Sequence, residues 1–185
     1  MKLKIERIKE KEFFGVWKPL YDELFEEEPE YDPGEYMNED QKKKLKSLQV
    51  LRNHLDKIFL VAKIEDEVIG WCWGFQTTSD EFYMCNSGVV KQHQRKGIYS
   101  KLLDETVKIL KDGGYYAIHS RHLAGNNAII IPKLKFGFVI TGLEVDVKYG
   151  LSVGLRYFLG QETKSVYDLR TGASGFDEKT ISLFT

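Results

Sequence analysis

The stretch VVKQHQRKGIYSKLL, Val89 to Leu103, joins the end of an apolar strand to the start of a helix through a basic turn. Gln94, Arg95 and Lys96 come directly before Gly97, after which apolar residues at helical spacing begin at once. The first turn of a helix presents backbone N–H groups without intrahelical partners, and the helix dipole adds partial positive charge there. A glycine lets an anion approach the backbone closely. This turn is therefore a candidate cradle for a phosphate or pyrophosphate.

The turn by itself leaves two interpretations open. A basic turn ahead of a helix is also common as a solvated surface feature without any ligand. Two familiar phosphate-binding patterns, GxxxxGK[ST] and GxGxxG, do not occur in the sequence. What the stretch does indicate is a strand–turn–helix unit, around which the remaining elements must be placed.

Composition indicates one folded domain. The chain has 185 residues, of which 42% are hydrophobic and 13% aromatic, and this is enough for one substantial core. We therefore expect a single domain over 1–185, with about 160–185 as a C-terminal extension in which the apolar pattern thins. The net charge of −1 lacks the basic excess of a general nucleic-acid-binding protein, so we expect no nucleic-acid partner.

The cysteines and the N-terminal segment bear on metal binding and compartment. Cys72 and Cys85 are not accompanied by a CxxC, HExxH or Cys/His cluster, so we expect no metal site. The N-terminal segment alternates charged with apolar residues and lacks the apolar core of a signal peptide. No run of residues approaches the length of a membrane span. These patterns favour a reduced cytoplasmic protein without a membrane partner.

The order of the predicted elements indicates an α+β fold. The predicted elements are a strand at 3–8, helices at 10–27 and 39–56, strands at 58–63, 68–76 and 82–90, a helix at 98–111, a strand at 115–122, a short helix at 126–136, and strands at 138–148 and 152–159. Pro19 should kink or shift the first helix. Short connections join most strands directly, whereas a helix joins 82–90 to 115–122, so we expect a mostly antiparallel sheet with one parallel crossover.

The basic turn resembles a loop of a known family. The six residues from Gln94 to Tyr99 are similar to the acetyl-CoA pyrophosphate loop, Q/R-x-x-G-x-G/A, of the GNAT N-acetyltransferases. Val89 falls where that family has its apolar strand residue, and Leu102-Leu103 fall where the following helix carries paired leucines.

The resemblance extends over roughly 58–148. Asn126 to Ile129, followed by Lys135 to Phe138, is similar to the family's N-x-x-A-I…K-x-G-F helix at the same length. Val61-Ala62 and Ile69 to Trp71 resemble its V-A…I-G hairpin. Several motifs at coherent spacing are a more specific signal than one short loop.

This resemblance implies a fold and an activity. The implied fold is a GNAT-like mixed, mostly antiparallel central sheet with a splayed parallel strand pair and helices on both faces. The implied activity is transfer of an acetyl group from acetyl-CoA, the co-substrate, to a primary amine of a small molecule or peptide by direct attack in a ternary complex. The implied cofactor-binding residues are Val89, Val90, Gln94, Arg95, Lys96, Gly97, Ile98, Tyr99, Ser100 and Asn126. Val89 and Val90 also match the family position whose backbone N–H stabilises the developing oxyanion.

Two residues depart from the family pattern. Tyr99 replaces the small residue that usually ends the loop, and we expect its side chain to point away while its N–H faces the ligand. Lys133 occupies the position where many members have a tyrosine that protonates the departing thiolate. That tyrosine's role cannot be carried over to this chain.

The catalytic base is poorly marked by the sequence. His119 and His122 are catalytic candidates because an unperturbed imidazole titrates near neutrality, although a histidine on a half-buried strand is more often a packed or solvated residue. Asp80 and Glu81 could act through water, or be solvated turn charges. The acidic segment 26–40, with Tyr31 and Tyr36, is either a wall of the acceptor site or a solvated loop.

Two other functions remain as alternatives. A non-catalytic acyl-CoA-binding sensor or partner module of the same fold would need no proton donor. A nucleic-acid-binding protein would use Lys42 to Lys44 together with Arg95 and Lys96, but those three lysines fit the outer face of a helix better. A homodimer that pairs through strands such as 152–159 is a further expectation.

Overall fold

The computed structural model describes residues 2–25, 33–51, 54–147, 149–175 and 182. The elements are, in chain order, β1 (Leu3–Arg7), α1 (Glu10–Leu24), α2 (Glu39–Leu51), β2 (Lys57–Ile64), β3 (Glu67–Gln76), β4 (Glu81–Val89), α3 (Ile98–Asp112), β5 (Ala117–Leu123), α4 (Asn127–Phe136), β6 (Val139–Asp146), β7 (Gly150–Phe158) and α5 (Gln161–Arg170). None of these helices combines the length and apolar character that crossing a bilayer requires.

The strands form one seven-stranded sheet in the order β1-β2-β3-β4-β5-β7-β6. Neighbouring strands are antiparallel at every position apart from β4 and β5, which run parallel. The parallel pair arises because α3 carries the chain from the end of β4 back to the start of β5. This confirms the predicted α+β fold with one parallel crossover.

The parallel pair is splayed. Residues 81–83 of β4 pair with residues 117–119 of β5, and the register goes no further. The register of β4 against β3 shifts between Trp73 and Gly74, which makes Cys85 the extra residue of a β-bulge. A bulge of this kind bends its strand. A wedge therefore opens between 84–89 of β4 and 120–123 of β5, and we call it the β4–β5 gap.

Helices pack on both faces of the sheet, as predicted. On the face that we call the α3 face, Leu102, Leu103 and Leu110 of α3 are buried in the larger core. On the opposite face, the α1 face, Phe13 of α1 packs with Phe59, Val61 and Trp71 in a smaller core. Successive strand residues point to opposite faces, so one strand supplies both cores.

Two helices differ from their predicted extents. α1 continues through Pro19, which is exposed, so the proline removes one hydrogen bond without ending the helix. α2 ends at Leu51, so Leu55 lies outside it, and two leucines of its apolar side, Leu45 and Leu48, are exposed, Leu48 to 62%. In α1, tertiary contacts outweigh the proline. In α2, part of the apolar pattern remains exposed and outside the core.

The C-terminal region contains one helix that the apolar pattern does not predict. α5 begins directly after Gly160, and Leu169 is its buried residue. The Tyr167 hydroxyl donates a hydrogen bond to the Ile140 carbonyl oxygen (2.6 Å), which joins α5 to β6. β6 itself is an outer strand of the sheet with exposed apolar side chains, among them Leu143 and Val145.

We predict that Gly74→Ala lowers the free energy of unfolding by on the order of 2 kcal/mol, because the site has no room for a methyl group. A Cβ at Gly74 would overlap the Tyr83 carbonyl oxygen and lie 2.6 Å from the Phe82 ring. Urea unfolding provides the measurement. The matched control is Gly142→Ala, also at a strand irregularity, where a Cβ meets nothing within 4 Å. Equal unfolding midpoints for the two variants would contradict this account of the bulge.

Candidate active site

The basic turn lies at the carboxyl end of β4, beside the β4–β5 gap. After β4 the chain forms a short 3-10 helix (Lys91–His93), and α3 begins at Ile98. Arg95 (φ 61°) and Gly97 (φ 76°) both adopt the left-handed backbone region. Glycine does so freely, whereas a residue with a side chain loses roughly 1–2 kcal/mol. Strained residues of this kind cluster at ligand-binding sites.

The start of α3 has backbone donors without intrahelical partners. The first backbone hydrogen bond of the helix runs from the Lys101 N–H to the Gly97 carbonyl oxygen (3.2 Å). The N–H groups of the first three helical residues, Ile98 to Ser100, consequently have no intrahelical partner. A Cβ built on Gly97 meets nothing within 4 Å, and Arg95 and Lys96 are exposed. An anion can therefore reach both the backbone and the two cations.

The two valines at the end of β4 point their amides in opposite directions. The Val90 N–H donates to the Ile69 carbonyl oxygen on β3 (3.0 Å). Because N–H directions alternate along an extended strand, the Val89 N–H faces the β4–β5 gap. The Val89 carbonyl oxygen accepts a hydrogen bond from the Gln94 side-chain amide (3.0 Å), which ties the loop to the strand. Of the two residues, Val89 is thus the one whose N–H can reach a ligand in the gap.

Tyr99 turns its side chain away from the loop, as expected from its position. The ring packs against the core on the α3 face. Burial, with a smaller contribution from Cys72, raises the pKa of Tyr99, and the nearby Ser87 side chain only partly opposes this. The hydroxyl makes no hydrogen bond of good geometry with a described residue. Tyr99 therefore stays protonated, and its backbone N–H lies at the loop while its hydroxyl points away.

A second helix start lies at the same edge of the sheet. Asn126 precedes α4 as its N-cap and is exposed, and its carbonyl oxygen accepts the N–H of Ile130 (3.1 Å). β4 and β5 are parallel, so their carboxyl ends, and the helices that follow, meet at one edge. The basic turn and Asn126 thus flank the wide end of the β4–β5 gap, where ligands of open sheets commonly bind.

The two candidate histidines lie on opposite faces of β5, because they are three residues apart on a strand. On the α1 face, His119 Nε2 lies 2.9 Å from the Thr77 hydroxyl. Burial lowers the pKa of His119, although the Glu81 carboxylate opposes the shift. On the α3 face, burial and then Lys133 lower the pKa of His122 to about 3. The histidines therefore cannot act on one proton together.

The sequence singles out Lys133 but does not predict its surroundings. Its side chain is 0% exposed, and its Nζ donates to the Ser120 hydroxyl (2.6 Å) and lies 3.8 Å from the Met84 sulfur. Burial lowers the pKa of Lys133 to about 7. Helical spacing could have predicted the burial of Lys133, since it follows the buried Ile130 by three residues and so lies on the same face of α4.

On the α1 face, Asn86 joins α1 to β4. Its side-chain oxygen accepts hydrogen bonds from the indole N–H of Trp71 (2.6 Å) and of Trp17 (3.3 Å). Asn86 directly follows the bulged Cys85, so these bonds hold the bent part of β4 against α1. Large aromatic side chains of α1 and β3 therefore pack beside this part of β4 on the α1 face.

A charged depression lies beside the gap on the α1 face. Arg121 and Glu144 of its lining form an ion pair (2.8 Å), and Arg156 of its lining pairs with Glu81 of β4 (3.1 Å). His119 is among the lining residues of the depression, which otherwise come from β5, β6 and β7. Most charged side chains of the depression are thus paired with an opposite charge from another strand.

Tyr36, from the predicted acidic segment, is 74% exposed. Tyr31 and the rest of the acidic stretch 26–32 fall outside the described residues. His93 lies within the loop, and its Nδ1 is buried without a partner among the described side chains.

Comparisons with known proteins agree with this geometry. Among the solved structures that share the fold, three serve as examples. They are Ard1 from Thermoplasma volcanium (16% identity, TM-score 0.64, 87% of this chain and 100% of that one), an N-acetyltransferase from Staphylococcus aureus Mu50 (19%, 0.61, 86% and 100%), and yncA from Salmonella typhimurium with its cofactor acetyl-CoA (15%, 0.61, 86% and 95%). No curated protein sequence matches the chain. A sequence model described as the Acetyltransferase (GNAT) family matches residues 17–138, well over half of the chain, and the chain therefore belongs to the GNAT acetyltransferase family.

Proposed function

We propose that this protein is an N-acetyltransferase that transfers the acetyl group of acetyl-CoA to a primary amine of a small molecule or peptide, by direct attack in a ternary complex. Family membership supports acetyl transfer in general. The observation that carries the finer proposal is the β4–β5 gap, which opens directly onto the uncapped start of α3 and its two cations.

The carrier's anionic end is assigned to the basic turn. The N–H groups of Ile98 to Ser100 donate to the pyrophosphate, while Arg95 and Lys96 supply neutralising charge. The thioester arm of the carrier lies in the β4–β5 gap, where the two strands leave backbone groups unpaired with each other. Asn126 borders the arm from the start of α4. Backbone donors at fixed positions bind such an arm without reorganising.

The acyl group is then placed next to the Val89 N–H. Attack by the acceptor nitrogen turns the carbonyl oxygen into an oxyanion, and a fixed backbone donor stabilises that charge more than it stabilises the ground state. Val90 cannot do the same, because its N–H is already bonded to Ile69. Val90 instead contributes side-chain packing beside the loop.

His119 is the better candidate for the base. A base works best when its pKa lies near the working pH; His122, at about 3, is far too weak a base to hold an amine's proton. The lowered pKa of His119 leaves its imidazole neutral at pH 7 and able to accept a proton through water. His119 lies on the α1 face, the side on which we propose that the acceptor binds.

A sensor that binds acyl-CoA without turnover is the second candidate, since Lys133 stands where the family often has its proton-donating tyrosine. One assay distinguishes the transferase from the sensor. Incubation with acetyl-CoA and a panel of primary amines should release free CoA and give an acetylated product by mass spectrometry. Tight binding by calorimetry without release of CoA for any amine would favour the sensor.

We predict that Gly97→Asp weakens acetyl-CoA binding by at least about tenfold relative to Gly97→Asn, measured by isothermal titration calorimetry. Asp and Asn have nearly the same shape and impose the same left-handed backbone strain, so the comparison isolates the added carboxylate. Repulsion between that carboxylate and a phosphate about 4 Å away is about 1 kcal/mol in water and several-fold more in a partly buried site. Equal affinity for the two variants, with equal melting temperatures, would remove the pyrophosphate from this turn.

We predict that His119→Gln lowers kcat/KM by about 10²- to 10⁴-fold, the usual contribution of a general base, and leaves acetyl-CoA affinity within about threefold. In the parent protein, kcat/KM should fall as pH drops through the lowered His119 pKa, below about 6.5, because only the neutral imidazole accepts a proton. The variant should lose this acidic step.

The matched control is His54→Gln, the same substitution at an exposed histidine outside the site. It should reproduce both the parent rate and the parent pH profile. If His119→Gln instead keeps the acidic step, another group is the base.

A further inference from the structure

The hairpin formed by β6 and β7 carries neighbouring apolar side chains that lie largely in solvent. Leu143 is 68% exposed, Val145 82% and Leu151 51%. Leu143 opposes Val153, which is buried in the core of the α3 face, and Val145 and Leu151 form the pair two residues further along. All three exposed side chains therefore lie on the α3 face. Single exposed apolar residues are ordinary, but several that adjoin on one face form the kind of patch that marks an interaction site.

β6 also has a backbone edge that no described strand pairs with. The sheet order places β6 at one end of the sheet and β1 at the other. β7, which contains most of the segment 152–159 expected to pair across a dimer, lies between β5 and β6, so both of its edges are occupied. The backbone groups of a free edge can pair with another strand, and natural edges are usually protected by charged residues, proline, bulges or a covering element.

The two ends of the sheet are protected differently. The sequence of β1, LKIER, has a charged side chain at three of its five positions, whereas that of β6, VITGLEVD, contains neither lysine nor proline. The first part of β6 is protected, because its register shifts between Ile140 and Gly142 and the Tyr167 hydroxyl donates to the Ile140 carbonyl oxygen. Residues 142–146 keep a regular register with β7, and we call them the open edge.

The charges beside the open edge permit pairing with an identical strand. Like charges that oppose each other destabilise a strand pair, and Glu144 of two copies would lie close together on the α1 face. Arg121 of the same chain, however, forms an ion pair with Glu144 (2.8 Å), and the Asp146 carboxylate accepts the Tyr149 N–H (3.0 Å). These contacts lower the cost of self-pairing. The same acidic residues disfavour an anionic lipid surface, which attracts lysine and arginine.

We propose that the open edge pairs antiparallel with the open edge of a second copy of this chain, so that the sheet continues across a two-fold axis. A two-fold dimer needs only one self-complementary patch. In every register that keeps the faces of the two sheets matched, Leu143 or Val145 lies opposite a leucine or valine of the partner. This inference does not depend on the proposed reaction.

The exposed apolar area is of the size that a dimer needs. Six large apolar side chains of the hairpin expose half of their surface or more, namely Ile140, Leu143, Val145, Val147, Tyr149 and Leu151. At roughly 100 Å² for a fully exposed side chain, they present roughly 400 Å² per copy. This is about half of the roughly 800 Å² that each partner contributes to a stable interface, and the backbone and polar side chains of the open edge add to it.

Sedimentation velocity tests the oligomeric state, and the parent should be a dimer at about 100 μM. Val145→Lys should raise the Kd of the dimer by at least about 100-fold, because a lysine on the edge would be desolvated without a partner. The matched control is Leu48→Lys, which places the same charge at an exposed leucine of α2 and should leave the Kd unchanged. Both positions are exposed, so both variants should keep the parent melting temperature.

Hydrogen exchange followed by mass spectrometry locates the interface. In the parent at about 100 μM, the amides of the open edge should exchange at least about tenfold more slowly than in Val145→Lys, because pairing protects them. The amides of β1, at the other end of the sheet, should exchange equally in both proteins.

Three results would overturn the proposal. The first is a parent that stays monomeric at about 100 μM; binding of that monomer to phosphatidylserine vesicles would assign the hairpin to a lipid surface instead. The second is a dimer that survives Val145→Lys, since its interface would lie elsewhere. The third is a dimer that Leu48→Lys dissociates equally, since the effect would then not be specific to the hairpin.

Discussion

The divergence of β4 from β5 is the constraint on which the rest of the site depends. Parallel strands that stayed paired would satisfy their backbone groups with each other and leave no opening. Here pairing stops after residues 81–83 and 117–119, and the bulge at Cys85 bends β4 away. Backbone donors and acceptors that lack partners in a protein interior are costly, so this arrangement favours an occupant that has amide groups of its own. The loop at Gly97 and the start of α4 then lie where such an occupant would emerge.

The sheet also separates two titratable groups beside the narrow end of the gap. His119 belongs to the α1 face and Lys133 to the α3 face, so no hydrogen bond joins the proposed base to the buried amine. Burial is the main cause of the lowered pKa of His119, and the charge of Lys133 contributes least among the neighbouring charges. The sheet therefore keeps the proposed base largely independent of the buried amine.

Much of the architecture follows from the sequence, because periodicity and turn residues are local properties. The spacing of Ile98, Leu102 and Leu103 predicts both α3 and its buried side, and the two ends of β2, β3 and β4 are predicted within a residue or two. α5 escapes prediction because a helix docked by one buried leucine and one tyrosine hydroxyl needs no regular apolar stripe. α2 shows the converse, a helical pattern in which Leu45 and Leu48 remain exposed.

For the site, the sequence motif predicts the position of the loop, but it does not predict contacts between side chains that are distant in sequence. That His119 and His122 face opposite ways follows from strand alternation once the strand is known. The burial of Lys133, in contrast, depends on Met84 and Ser120, which come from two other elements. The loss of the Val90 N–H to Ile69 depends on a third strand. Side chains whose surroundings come from several elements acquire their properties only on folding.

The hydrogen bonds at Asn86 give the molecule a built-in optical reporter. All three tryptophans of the chain, Trp17, Trp71 and Trp73, lie on the α1 face, and two of them bond to the residue that follows the β4 bulge. Indole emission shifts in wavelength when the polarity or hydrogen bonding around the ring changes. Because the bend of β4 and the tryptophan environment are mechanically linked through one amide, filling or emptying the space between the strands is readable from intrinsic fluorescence without attaching any dye.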